Sequence, residues 1–211
     1  SVAAVSTGTQ VTQIVTSLVT GLTLGSTVLI GEYMGRRDHE LVRKTIGTTL
    51  TVFALFALFL TAVMLLLERN ILTWLRTPAE SFELTVQYVS ICLAGNLFIC
   101  GYNAISAILR GYGDSTRPMI FVGVACVLNI ILDVVFVKCF DMNVAGTALA
   151  TVMSQAVSMV IAIVYLKRKD FLFDFRLPSF RPDLFLVKRL AVIGIPISFQ
   201  EMLIRISFLY L

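Results

Sequence analysis

Asn129 and Asp133 place two oxygen-bearing side chains in an apolar run that has no other charge. They lie four residues apart within residues 118–137, and positions i and i+4 share one face of an α-helix. An amide oxygen and a carboxylate on one face suit a Na⁺ ion or a proton-linked hydrogen-bond network, since ionisable groups inside a membrane span usually face a cavity or a partner. The spacing predicts a cation-binding site. The alternative is that Asp133 caps a neighbouring helix or bonds only to Asn129.

Glu201 and Arg205 form a second intramembrane pair with the same spacing, and the acid comes first, which is the favourable order on a helix. One interpretation is a self-neutralising ion pair that lowers the cost of inserting two charges into the bilayer. The other is a carboxylate in a substrate cavity, released from Arg205 when a cationic ligand arrives. On that second interpretation Gln200, next to the acid, also becomes a cavity candidate.

The elements that must position these residues are membrane helices. Hydrophobic residues make up 57% of the chain and charged residues 14%, whereas a soluble domain carries roughly a quarter charged residues. A spanning helix needs about 20 mostly apolar residues. Six segments of the sequence qualify, at residues 7–30, 46–67, 84–109, 118–137, 142–166 and 190–211. The sequence therefore predicts an all-α integral membrane protein with six transmembrane helices.

The basic residues indicate the orientation of these helices. Thirteen Lys and Arg residues fall in three loops, 32–45, 110–117 and 167–189, against three in the two intervening loops. By the positive-inside rule the three basic loops are cytoplasmic. Residues 179–189 mix aromatic and basic residues, and are interpreted as a short helix at the cytoplasmic interface or an ordinary loop. This topology places Asp133 near the outer end of its span, where an external cation could reach it.

Enzymes and nucleic-acid-binding proteins are disfavoured. The one histidine, His39, lies among charges in a loop, and the sequence has no Ser-His-Asp set, HExxH motif or metal-ligand spacing. No cofactor is expected. The net charge of +4 follows from the basic cytoplasmic loops, so it does not call for nucleic acid as a partner.

Several stretches resemble the multidrug and toxic compound extrusion (MATE) family, and they occur in that family's order. They are GEYMGRRD at 31–38, LRGYGDST at 109–116, NIILD at 129–133, VAGTALAT at 144–151 and GIPISFQE at 194–201. The resemblance covers nearly the whole chain, as helices two to seven of an expected twelve, so we expect a fragment of a longer protein.

The resemblance implies a two-lobe transporter with a central cavity. It would export organic cations and other toxic compounds across the plasma membrane in exchange for Na⁺ or H⁺, acting as a monomer. Residues 1–166 would form helices two to six of the amino-terminal lobe, residues 167–189 the cytoplasmic inter-lobe loop, and residues 190–211 the first helix of the carboxy-terminal lobe.

The resemblance also implies a ligand set for the coupling ion. It pairs Asn129 and Asp133 with the backbone carbonyl of Thr147, where Ala is usual, and the hydroxyl of Thr151. Glu201 does not match the family's helix-seven acid. Two alternatives stay open: a flippase for lipid-linked oligosaccharides of the same superfamily, and a membrane receptor that does not transport. Flippases tend to line the cavity with many bases, whereas only Arg205 lies within a predicted span here, which favours drug and ion exchange.

Overall fold

The computed structural model describes residues 2–74, 79–139, 142–168 and 180–209, and these contain helices and no strand. The prediction of an all-α protein is confirmed. The helices are α1 (Val2–Gly35), α2 (His39–Trp74), α3 (Ala79–Ala94), α4 (Asn96–Gly111), α5 (Thr116–Lys138), α6 (Asn143–Arg168) and α7 (Leu184–Leu209).

Within the described ranges, α2, α5 and α6 are long and apolar enough to cross a membrane, and α3 with α4 qualifies as one bent pair. The described part of the chain thus has three such helices, or four with the bent pair. These correspond to four of the predicted segments. The first and last predicted segments fall in α1 and α7, which are helical but do not reach that apolarity over their described residues, so their crossing of the membrane stays a prediction.

The predicted span over 84–109 is broken within its length, because the helix is interrupted at Gly95 and bends by 44° between α3 and α4. Polar side chains on both sides of the break explain how an apolar environment tolerates it. The Thr61 hydroxyl of α2 donates to the carbonyl of Leu93, in the last turn of α3, at 3.2 Å. The buried amide of Asn96 donates to Thr61 Oγ1 at 3.2 Å. Broken helices persist in membranes only where neighbours satisfy the backbone in this way.

The seventh helix begins at Leu184, earlier than the predicted start at residue 190. Asp183 caps it, because the backbone N–H of Phe185 donates to the Asp183 carboxylate at 2.9 Å. Residues 184–189 are therefore the first turns of α7 and form no separate interfacial helix. Residues 169–179, the rest of the predicted inter-lobe loop, lie outside the described residues.

The segment before α7 is fastened to α2 by two threonines. The Thr51 hydroxyl donates to the carbonyl of Phe180 at 2.7 Å, and the Asp183 N–H donates to Thr48 Oγ1 at 3.2 Å. These contacts fix where α7 starts relative to α2.

The main buried core lies toward the basic ends of the helices, which the sequence predicts to be cytoplasmic. It joins side chains of α1, α2, α4, α5, α6 and α7, among them Tyr33, Ile46, Ile108, Phe121, Leu166 and Leu190. Helix α4 packs against α1, α2, α5 and α6. Helix α5 lies at the edge and buries only Pro118, Phe121 and Ala125. Its position therefore depends almost entirely on α6.

Glycines allow α1 and α7 to cross in close contact. A Cβ at Gly21 would overlap the Ser198 hydroxyl and the Gly194 carbonyl, and a Cβ at Gly194 would lie 3.1 Å from the Gly21 carbonyl. The Ser198 hydroxyl donates to the carbonyl of Leu18 at 3.0 Å. Small residues at such crossings let helix backbones approach closely.

A charged cluster holds the same two helices at their basic ends. Arg189 of α7 donates to the Tyr33 hydroxyl at 2.7 Å and lies 3.2 Å from the Glu32 carboxylate. Glu32 also pairs with Arg36 at 2.7 Å. The α1–α7 contact thus extends from this cluster to Ser198.

Gly21→Ala should destabilise the protein, because the added methyl has no space between α1 and α7. Overpacking of this kind costs about 1–3 kcal/mol, and thermal unfolding of the purified full-length protein in detergent would report it as a lower midpoint. Gly35→Ala is the matched control on the same helix, since a Cβ there meets nothing within 4 Å. Equal midpoints for the two variants would contradict the close crossing.

Candidate functional site

Antiparallel packing of α5 and α6 sets the register of the predicted cation ligands. Near the start of α5, the Ser158 hydroxyl of α6 donates to the Phe121 carbonyl at 3.2 Å, and Tyr102 of α4 donates to the Pro118 carbonyl at 2.8 Å. At the other end, near the connection from α5 to α6, the Met142 N–H donates to the Phe136 carbonyl at 3.0 Å. Both ends of the hairpin are therefore fixed, and with them the face of α5 turned toward α6.

Three of the four predicted residues meet across this hairpin. The side-chain amide of Asn129 donates to Thr151 Oγ1 at 3.5 Å, and the Thr151 hydroxyl donates to the Thr147 carbonyl one turn earlier, at 3.0 Å. A donor–acceptor distance of 3.5 Å is at the outer limit of a hydrogen bond. The Asn129–Thr151 contact is therefore the weaker of the two, and a small displacement of α5 relative to α6 would make or break it.

Asp133 lies one turn beyond Asn129 on the same face of α5 and is partly buried. Its Oδ1 atom is buried and finds no hydrogen-bond partner within the described ranges. A buried acceptor left unpaired costs about 1–3 kcal/mol, and more when it is charged. A proton or a cation would remove that cost, so this carboxylate is suited to bind one or the other.

The candidate ligands for a cation in this region are all hard oxygen atoms. The carboxylate, the Asn129 amide oxygen, the Thr147 carbonyl and the Thr151 hydroxyl are the ligand types that hard cations prefer. In the part of the chain that the structure describes, no cluster of three or more His, Cys, Asp or Glu side chains could hold a metal ion. The arrangement therefore fits a monovalent cation or a proton better than a transition metal.

An apolar groove of about 660 Å³ follows α5 nearby but does not belong to this set. It is lined by Ile120, Gly123, Val124, Val127, Leu128, Ile131 and Val157. With 3.6 residues per turn, Val127 and Ile131 lie on the face of α5 roughly opposite Asn129. The groove therefore presents hydrocarbon away from the polar residues.

The second predicted group lies on α7, which packs mainly on α1. Gln200 is exposed and Glu201 is half-buried. The side chain of Arg205 lies outside the described residues, so the Glu201–Arg205 ion pair stays a prediction. The structure thus places the cavity candidates and the cation candidates on different helix pairs.

Glu68 is a buried acid that the sequence analysis did not single out. It is 9% exposed, and its carboxylate accepts from the Ser90 hydroxyl of α3 at 2.9 Å. The second predicted span stopped at residue 67, whereas α2 continues to Trp74. A signal was present, because Leu60, Met64, Glu68 and Leu72 repeat every four residues and so share one face.

A model of the MatE family matches residues 1–135. The chain belongs to the MatE family. It is therefore part of a multi-pass membrane protein, as the sequence predicted.

Two bacterial relatives carry names that refer to drug resistance. The probable multidrug resistance protein YpnP of Bacillus subtilis is 30% identical over 192 residues, which are 90% of this chain and 42% of that protein. The probable multidrug resistance protein NorM of Thermotoga maritima is 29% identical over 77% of this chain and 36% of its own length. The chain spans about half the length of the curated relatives it matches.

Solved MATE structures share the fold in different conformations. An inward-facing MATE family transporter superposes with a TM-score of 0.91 at 29% identity, over 97% of this chain and 47% of that one. An outward-facing one gives 0.91 at 28% identity, over 99% and 46%. A MOP superfamily transporter from Pyrococcus furiosus, whose reverse pocket polarity is described as suggesting a different function, gives 0.90 at 28% identity, over 99% and 46%.

If Asp133 binds the cation, the native full-length protein should be stabilised by NaCl in place of choline chloride, or by a lower pH, and Asp133→Asn should lose that gain. A ligand at a hundred times its dissociation constant stabilises by about 2.7 kcal/mol, which thermal unfolding in detergent resolves. Glu83→Gln removes an exposed carboxylate and should behave as native. A cation response that persists in Asp133→Asn would place the bound ion elsewhere.

Proposed function

We propose that this chain forms the amino-terminal half of a secondary active transporter that exports drugs and organic cations in exchange for Na⁺ or H⁺. The observation that supports this most is the buried Oδ1 of Asp133, which has no hydrogen-bond partner among the described residues and lies one turn from the Asn129–Thr151 contact. In a receptor that does not transport, a buried carboxylate at position 133 would have no evident role. The names of the relatives support the same class of substrate.

The proposed mechanism is alternating access in the cytoplasmic membrane. A cation from outside binds Asp133 with Asn129, the Thr147 carbonyl and Thr151, and this favours the state that releases drug outward. After the cation leaves toward the cytoplasm, drug enters from that side. A ligand shifts such an equilibrium only through different affinities for the two states. Here the difference lies in how completely the Asp133 carboxylate is coordinated.

In this proposal residues 1–166 belong to the amino-terminal lobe, residues 167–189 connect the lobes, and residues 190–211 open the carboxy-terminal lobe. Gln200, Glu201 and Arg205 then lie where the second lobe faces the cavity, and Glu201 is the candidate partner for the positive charge of a drug. The transporter acts as a monomer and needs no cofactor besides the coupling ion.

A lipid-linked oligosaccharide flippase is the second candidate within this fold. The Pyrococcus furiosus neighbour shows that the fold accommodates a pocket of different polarity. An anionic lipid-linked substrate calls for several bases within the cavity wall, whereas the predicted spans of this chain contain Arg205 alone. Charge therefore favours a cationic substrate.

Ethidium efflux from cells that make the full-length protein tests the proposal. The native protein should export ethidium, and Asp133→Asn at equal membrane abundance should lose export. Glu83→Gln, which removes an exposed acid from α3, should export as native. Equal export by native and Asp133→Asn would remove Asp133 from coupling. No export by the native protein would favour the flippase or receptor alternatives.

The two threonines of α6 should respond differently to the same change. Thr151→Ala removes a ligand hydroxyl and should raise the half-saturating cation concentration for efflux by roughly tenfold, the factor for about 1.4 kcal/mol. Thr147→Ala keeps the backbone carbonyl and should leave that concentration unchanged. A larger effect from Thr147→Ala would mean that its side chain, not its carbonyl, is the ligand.

A further inference from the structure

The break between α3 and α4 touches α6 immediately beside the cation candidates. A Cβ at Gly95 would overlap both methyls of Val152 and lie 3.0 Å from its Cβ. Val152 is the next residue after Thr151. The break and the Asn129–Thr151 contact are therefore separated by the thickness of one helix.

The close approach, not the backbone conformation, requires glycine at this position. Gly95 has φ −79° and ψ −6°, values that any L-residue adopts. Alanine would thus keep the bend and add only a methyl. That methyl would meet a β-branched side chain, whose χ1 angle is stiff in a helix, so the α6 backbone at residues 151–152 would have to yield.

On the side of the break that faces α2, hydrogen bonds hold the chain in place, so it cannot move easily. Asn96 is 2% exposed, and its amide donates to Thr61 Oγ1 at 3.2 Å and toward the Ala57 carbonyl at 3.5 Å. Thr61 in turn bonds the Leu93 carbonyl. These bonds tie both ends of the break to α2, so α6 is the partner left to adjust.

The cation candidates are sensitive to such a displacement. The Asn129–Thr151 contact is already 3.5 Å long, and at about 3.6 Å a side-chain contact no longer counts as a hydrogen bond. A shift of α6 that lengthens this distance would therefore break the contact.

We infer that Gly95, anchored through Asn96 and Thr61, is a positioning residue for the coupling site: its contact with Val152 sets the place of Thr151 relative to Asn129. The inference rests on the proposed function, since it assigns Gly95 a part in cation binding. Gly95 touches neither cation nor drug in this account and acts through α6 alone.

Cation-dependent ethidium efflux by the full-length protein in proteoliposomes provides the test, with the half-saturating Na⁺ or H⁺ concentration and the KM for ethidium measured separately. Gly95→Ala should raise the half-saturating cation concentration by roughly two- to fivefold, the factor for one weak hydrogen bond of about 0.5–1 kcal/mol. The KM for ethidium should stay as native. Adding Val152→Ala to Gly95→Ala restores the space and should restore the native cation concentration.

Gly101→Ala is the matched control. Gly101 also faces α6, but a Cβ there would meet the Met159 side chain, which is flexible enough to move aside. Its cation dependence should be native. The inference is overturned if Gly95→Ala leaves the cation dependence unchanged, if Val152→Ala does not rescue it, or if Gly101→Ala has the same effect.

Asp133→Asn in the same proteoliposomes distinguishes a failure of the proposed function from a failure of the inference about Gly95. If Asp133→Asn abolishes cation dependence and Gly95→Ala leaves it native, the proposed function stands and the inference alone is wrong. If Asp133→Asn keeps native cation dependence, the coupling site is wrong and the inference falls with it. Should Gly95→Ala fail to fold, the Gly95→Ala/Val152→Ala double variant must fold and show native cation dependence, or the contact does not explain the defect.

Discussion

Within a bilayer, a polar group away from water can be satisfied only by another part of the protein, and most of this fold follows from that constraint. Threonine and serine hydroxyls repeatedly donate to helix carbonyls, both within one helix, as Thr23 does to Val19, and between helices, as Thr61 does to Leu93. Against this background the Asp133 carboxylate is distinctive. The buried hydroxyls of Ser26 and Thr49 also have no partner within the described ranges, but they cannot take up a proton or balance the charge of a cation near neutral pH, whereas the carboxyl group of Asp133 can.

The sequence was sufficient for the parts of the fold that depend on composition. Long apolar runs placed α2, α5 and α6, because hydrocarbon thickness dictates their length. The spacing of Asn129 and Asp133 identified a polar face, because helical geometry is local. Thr147 and Thr151 could be predicted as ligands only from the family resemblance, because their local sequence does not show which helix they face. The structure brings Thr151 to Asn129.

The features that escaped sequence reasoning are those fixed by contacts between distant residues. The apolar run through Gly95 looks continuous, and only the hydrogen bonds of Thr61 to Leu93 and Asn96 show how the break is held. Glu68 fell outside the predicted span, and although its spacing from Leu60, Met64 and Leu72 marks a common face, its contact with Ser90 of α3 cannot be read from α2 alone. The charges of Lys188 and Arg189 led to the prediction of a loop at these positions. In the structure both residues lie in the first turns of α7, where Glu32 and Tyr33 of α1 bind Arg189.

The glycine crossing of α1 and α7 has a mechanical consequence. Backbones that touch at Gly21, Gly194 and Ser198 cannot slide along each other without a clash, and the Arg189 cluster clamps the same pair at the basic ends of the helices. Helix α7 is therefore mechanically coupled to α1. The predicted boundary between the lobes at residues 167–189 does not coincide with a gap in the packing, because α7 packs on α1 across it.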